Sequence, residues 1–188
     1  SGWTPNSGAV QSSLRRSLPV RVEEGRVPVD KMAPVRIGMI GAGFMGQHAH
    51  LENYSAIPEC EVVALAELRP ELRRRVAERY GIPRTYATHQ ELLSDPDIQA
   101  VVAVTARPMT GPIALDCLRA GIHLLTEKPM ASTVAQAERL VSEASSQDLI
   151  YTVGYMRRHD EGVQRAKAML DDLLQTGELG EITFVRMH

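Results

Sequence analysis

From residue 35 onward, hydrophobic and polar positions fall into two alternating textures. Short apolar runs rich in β-branched side chains read as strands: "VRIGMI" (35–40), "EVVALAE" (61–67), "AVVAVT" (100–105), "IHLLTE" (122–127) and "LIYTVGY" (149–155). Their near-continuous hydrophobicity suits parallel strands covered on both faces. Between them apolar residues recur at helical spacing, which predicts helices over 45–56, 70–80, 88–94, 110–120 and 132–147. Pro58 marks the exit of the first, Gly81 and Gly121 follow two others, Asp95-Pro96 ends another, and Ser132 is the expected N-cap of the last. A short extra strand at 84–86 completes the count. Strands alternating with helices make βαβ units, whose right-handed crossovers build an α/β doubly wound parallel sheet.

The two ends of the chain read differently. Residues 1–31 are rich in Ser, Gly, Pro and charge, show no lasting periodicity and precede Met32. They are expected to be a disordered leader, an expression remnant or translated upstream sequence, with Met32 the natural start. Residues 32–153 then form one domain. After Tyr155, "DEGVQRAKAMLDDLLQTGELG" reads as a helix ending near Gly177, and "EITFVRMH" begins a β-rich run. Residues 154–188 are therefore expected to be the truncated start of a second, α+β domain.

Composition narrows the partners. A chain of 188 residues can bury one core with part of another. With 23% charged residues and a formal net charge of −2, it carries no electrostatic footprint for nucleic acid or an anionic membrane. No stretch approaches the roughly 20 apolar residues that span a bilayer, and the N-terminus lacks a signal-peptide core, so a cytoplasmic location is expected. A small molecule or another protein is the expected partner. Cys60 and Cys117 lack metal-ligand spacing and read as two reduced thiols.

Directly after the first strand comes "GAGFMG", with Gly41, Gly43 and Gly46 in the G-x-G-x-x-G pattern between a strand and a helix. Gly41 would allow the tight turn, Gly43 the close approach of a pyrophosphate, and Gly46 the packing of helix on strand. The N–H groups around Phe44 and Met45, at the positive end of that helix, would face the phosphates. Glu67 ends the second strand roughly 20 residues past the last glycine, where a carboxylate can accept from both ribose hydroxyls of the adenosine and repel a 2′-phosphate. That favours NAD over NADP. Arg69 tempers the preference, because its guanidinium could stack on adenine or pair with a 2′-phosphate. These features together describe a Rossmann-type dinucleotide site.

In such sheets ligands bind outside the carboxyl ends of the strands, where strand order reverses. Thr105 at the end of the fourth strand, Glu127 and Lys128 of "HLLTEKPMAS" at the end of the fifth, and Tyr155 with Arg157 at the end of the sixth should gather there.

The combination "VRIGMIGAGFMG", a strand-end acid, "TEKPMA", and "VGYMRRHD" followed by "GELGEITFVRMH" resembles the glucose-fructose oxidoreductase and inositol dehydrogenase family, Gfo/Idh/MocA, from about residue 35 to 188. The E-K-P tripeptide after the fifth strand is the specific part, and "YMRRHD" is similar to the inositol dehydrogenase side. The resemblance implies reversible hydride transfer between nicotinamide and a carbinol carbon of a sugar or polyol. It implies that Glu127 contacts the nicotinamide-side ribose and that Lys128 hydrogen-bonds the reacting hydroxyl. Pro129 would fix the turn, through a cis bond, and Arg157, with Arg158 beside it, would help hold cofactor or substrate. A partly desolvated Lys128 would suit a proton relay near neutral pH. The full-length protein is expected to be a homo-oligomer.

The chain departs from the family pattern at "TARPMTGP", where Ala106 stands for a proline and Thr110 for a histidine. The resemblance implies that a second domain, with an aspartate and a histidine that work with the lysine, would lie beyond residue 188; His159 and Asp160 read instead as helix-start residues. These 188 residues are therefore expected to bind cofactor and turn over poorly. Two other readings fit the same residues: a non-catalytic dinucleotide-binding module, and a glycosidase of the same fold that recycles tightly held NAD.

Overall fold

The structure is a computed structural model that describes residues 33–178 and 180–184. The expected leader, the Met32 start and the last four residues of the expected β-rich run lie outside the described residues.

Six strands form one sheet: β1 (Val35–Ile40), β2 (Cys60–Ala66), β3 (Arg84–Tyr86), β4 (Ala100–Ala103), β5 (His123–Thr126) and β6 (Tyr151–Val153). Every neighbouring pair is parallel, in the order β3-β2-β1-β4-β5-β6. The chain therefore winds outward from β1 in one direction, returns to β4 and winds outward in the other. The reversal lies between β1 and β4.

The helices cover both faces, as near-continuous strand hydrophobicity requires. A π-helical turn at Gly46–Leu51 runs into α1 (Glu52–Tyr54). Then follow α2 (Pro70–Tyr80), α3 (His89–Leu93), α4 (Arg107–Arg119), α5 (Val134–Ser146) and α6 (Glu161–Thr176). One half of the core joins Leu51, Val76, Ala77 and Ile82 to Ile37, Met39 and Leu65 of the sheet. The other joins Leu92, Ile113, Cys117, Leu118 and Leu140 to Ile40, Val63, Val101 and Leu124. Cys60 and Cys117 are both free thiols, and burial pushes Cys117 up to about 12, which makes it unreactive.

Several expected boundaries shift for local reasons. The second strand ends at Ala66, the fourth at Ala103, the fifth at Thr126 and the sixth at Val153, so Glu67, Thr105, Glu127 and Tyr155 stand just beyond their strands. α4 begins at Arg107 and not at 110. Pro108 sits in its first turn, where the N–H it lacks has no partner to lose, and Pro112 gives up one helical bond on an exposed face. The N-cap of α5 is Thr133 and not Ser132: its hydroxyl accepts from Gln136 N–H at 3.2 Å, while Ser132 N–H donates to the Gln136 side chain at 3.0 Å. Gly81 and Gly177 close α2 and α6 in the left-handed conformation, and Asp160 caps α6 by accepting from Val163 N–H at 3.0 Å. Residues 181–184 belong to no strand. Among the described residues no helix is long and apolar enough to cross a membrane.

Candidate functional site

Five residues carry the pairing of the sheet one step past the strand ends. Glu67 N–H donates to the Tyr86 carbonyl at 3.2 Å, Gly41 to Ala66 at 2.8 Å, Val104 to Ile40 at 2.8 Å, Glu127 to Ala103 at 3.2 Å and Gly154 to Thr126 at 2.8 Å. Read in strand order, they make one row: Glu67, Gly41, Val104, Glu127, Gly154. Strands lie ~4.8 Å apart, so Glu67 and Glu127, three strands apart, are separated by roughly 14 Å. They flank the reversal point from opposite sides.

Between them the glycine loop is shaped by close approach. Gly41 has φ 90°, and a Cβ there would run into the Val104 carbonyl oxygen. A Cβ on Gly46 would stand 2.6 Å from the Gly41 carbonyl oxygen, so helix and strand end meet backbone to backbone. Gly43, by contrast, has open space where its Cβ would be. That bare backbone is what a pyrophosphate needs to approach. Gln47 N–H donates to the Gly43 carbonyl at 3.0 Å, which leaves the N–H groups of Phe44 and Met45 ahead of it, at the helix start where donors lack helical partners. Both of these side chains are exposed. Gln47 also braces the loop, its Nε2 donating to the Ala42 carbonyl at 2.8 Å.

Glu67 is buried at the end of β2. Its Oε2 accepts from Ala42 N–H at 2.9 Å and from Arg69 Nη2 at 3.1 Å; its Oε1 accepts from Arg69 N–H at 3.0 Å and Arg69 Nε at 2.8 Å. Burial pushes this carboxyl up, but the hydrogen bonds from the Arg69 side chain and from the Ala42 and Arg69 N–H groups outweigh it and hold the group at about 2. Four donors fill the acceptor sites of one carboxylate. A ribose diol would therefore have to take the place of the Arg69 guanidinium, whose side chain is 64% exposed. Arg73 adds a bond from Nη1 to the Glu67 carbonyl at 2.6 Å.

Across the reversal, Glu127 is half-buried and its Oε2 accepts from Lys128 N–H at 3.1 Å. Its Oε1 lies 3.0 Å from His50 Nε2. The peptide between Lys128 and Pro129 is cis, in agreement with expectation. Lys128 itself is exposed, so the described residues do not supply the desolvation expected of it. Thr105, one step beyond Val104, brings its Oγ1 to 3.5 Å from that of Thr110, which is buried at the first turn of α4. Ala106 is the N-cap of that helix. Arg157 does not end a strand: it lies with Arg158 and His159 in an exposed 3-10 turn, Met156–His159, beyond β6.

The structure thus aligns Gly41, Glu67 and Glu127 in the row, with Gly43, Thr105, Lys128 and Pro129 close along the chain, and leaves Arg157 in a separate turn. His50, Gln47 and Arg73 were not singled out from sequence. Counting from Gly46, His50 falls four residues on, one helical turn away and on the same face, and that is the signal in the sequence that could have found it.

A doubly wound parallel sheet, with a bare glycine loop at its reversal point and a buried acid at the neighbouring strand end, defines a dinucleotide-binding domain of the Rossmann type. Residues 35–155 match the family model described as "Oxidoreductase family, NAD-binding Rossmann fold". The chain belongs to that family, Gfo/Idh/MocA. It is 28% identical over 153 residues to the myo-inositol 2-dehydrogenase of Thermotoga maritima, covering 81% of this chain and 44% of that protein. It is 33% identical over 155 residues to the inositol 2-dehydrogenase/D-chiro-inositol 3-dehydrogenase of Lacticaseibacillus casei, covering 81% and 43% respectively. Among solved structures, a 3-ketoreductase from Actinomadura kijaniata in complex with NADP and TDP-benzene is similar with a TM-score of 0.68 at 31% identity, over 80% of this chain and 45% of that one. The chain spans less than half the length of these relatives.

Proposed function

We propose that this chain is the cofactor-binding part of an NAD(P)-dependent oxidoreductase that moves a hydride between nicotinamide and a carbinol of a sugar or polyol, in the manner of inositol dehydrogenases. The observation that carries the reading is the row at the strand ends, which sets the glycine loop, Glu67 and the Glu127-Lys128-Pro129 turn along one edge of the sheet. Bound NAD(P) would supply the hydride acceptor. The chain's own groups divide the remaining work. The Phe44 and Met45 N–H groups receive the pyrophosphate, Glu67 the adenosine ribose once Arg69 swings aside, and Glu127 with Thr105 the nicotinamide side. Lys128 takes the hydroxyl proton while the carbinol C–H bond gives up its hydride to the nicotinamide. Glu67 favours NAD, because its ionised carboxylate repels a 2′-phosphate. Residues 154–184 lead toward a substrate domain, where polar partners of the lysine would come from, and the full-length protein is a homo-oligomer.

Titration of NADH against the 188-residue chain tests this reading. Nicotinamide fluorescence should rise on binding, with NADH bound more tightly than NADPH, and addition of NAD with myo-inositol or other polyols should give little turnover. No NADH binding by a folded chain overturns the dinucleotide-binding reading. Robust polyol-dependent reduction of NAD overturns the division of labour between this part and the substrate domain.

A further inference from the structure

The His50–Glu127 contact links the two halves of the site and has no role in the reading above. His50 comes from the helix that follows the glycine loop, and Glu127 from the end of β5. Their side chains are 12% and 15% exposed, so the contact is shielded from competing water. Glu127 is held at three points: its N–H is bonded to the Ala103 carbonyl, its Oε1 meets His50, and its Oε2 accepts from Lys128 N–H. The chain of contacts runs from His50 through one carboxylate to the backbone of Lys128.

The π turn explains how His50 and Leu51 both face the sheet beside Gly46. Gly46 and Leu51 are both buried, Gly46 against the Gly41 carbonyl and Leu51 in the core with Met39 and Val102. In an α-helix, at about 100° per residue, five steps leave two residues about 140° apart, and only one of them could face the sheet. A π turn has more residues per revolution, because its bonds run from i to i+5; the Glu52 N–H to Gln47 carbonyl bond is of this kind. Gly46, His50 and Leu51 then share one face. His50 is held there by its ring, which stacks on Tyr54 with centroids 6.1 Å apart and planes 20° apart.

We propose that His50 is the positioning residue of the Lys128 turn: by holding Glu127 Oε1 it leaves Oε2 to fix the Lys128 backbone, and so sets that turn in register with the glycine loop. The proposal rests on the dinucleotide-binding reading for its consequence, but its geometry can be measured without cofactor. Two variants separate the donor from the ring. His50→Phe keeps the stack on Tyr54 and removes the donor, whereas His50→Gln keeps a donor and removes the ring. In His50→Phe, hydrogen exchange at the Lys128 amide should accelerate about 10-fold and NADH should bind about 10-fold more weakly, the scale of one lost hydrogen bond to a charged group. In His50→Gln both should return to within about 3-fold of the parent. If circular dichroism shows that Phe is not accommodated, His50→Leu carries the same expectation. Parent-like Lys128 exchange in the folded donor-less variant, or equal losses in the Phe and Gln variants, overturns the proposal. If the parent binds no NADH, the dinucleotide reading fails, and the Lys128 exchange still decides the role of His50.

Discussion

Glu67 sits in a setting that would ordinarily suppress its charge, and four hydrogen bonds reverse the outcome. The sign of its pH effect follows. Its folded value of about 2 lies below the ordinary 4.5, so the stability it contributes is complete above about pH 4.5 and is lost as pH falls toward 2. The size is on the order of 3 kcal/mol. Urea unfolding at pH 7, 4, 3 and 2.5 should show the parent losing more stability than Glu67→Gln across that window, with the two curves converging at the acid end. Parallel curves would mean that Glu67 ionises in the folded state as it does in the unfolded chain. The same residue shows where sequence reading stops. An acid at the end of the second strand is visible in "EVVALAE", but its capture by Arg69 depends on a side-chain torsion two residues away, which no spacing rule encodes.

At the scale of elements, strands were legible because burial on both faces leaves a continuous apolar run, and α2 because Gly81 marks its end. α4 was read three residues short because Pro normally punctuates loops, and here Pro108 falls in the first turn and Pro112 on an exposed face. The helix after the glycine loop was placed correctly, but its π turn was invisible. Counting at about 100° per residue keeps His50 on the face that Gly46 occupies but puts the buried Leu51 away from it. The α5 start gives a direct check on local reading against structure. Thr133→Ala should cost about 1 kcal/mol by thermal or urea unfolding, whereas Ser132→Ala, which leaves its backbone N–H bond to Gln136 intact, should cost close to nothing. The reverse ranking would return the cap to Ser132.

For the whole molecule, cofactor binding and folding are coupled, because the site is built from the ends of five strands and a helix start that the core holds in place. NADH at about 100 times its dissociation constant should stabilise the folded chain by ~2.7 kcal/mol. That corresponds to a rise in Tm of about 5–10 °C for a chain of this size, readable by differential scanning fluorimetry. An unchanged Tm at saturating NADH would show that the ligand does not engage the folded sheet. The row from Glu67 to Gly154 has a consequence for how such a protein can change over generations. Each of its bonds is one the sheet needs whether or not a cofactor is ever bound, so selection for folding alone preserves the main-chain framework of the crevice. Selection on chemistry is then left with the side chains mounted on that framework, and a new cofactor or substrate preference can arise by exchanging a few of them without rebuilding the backbone beneath.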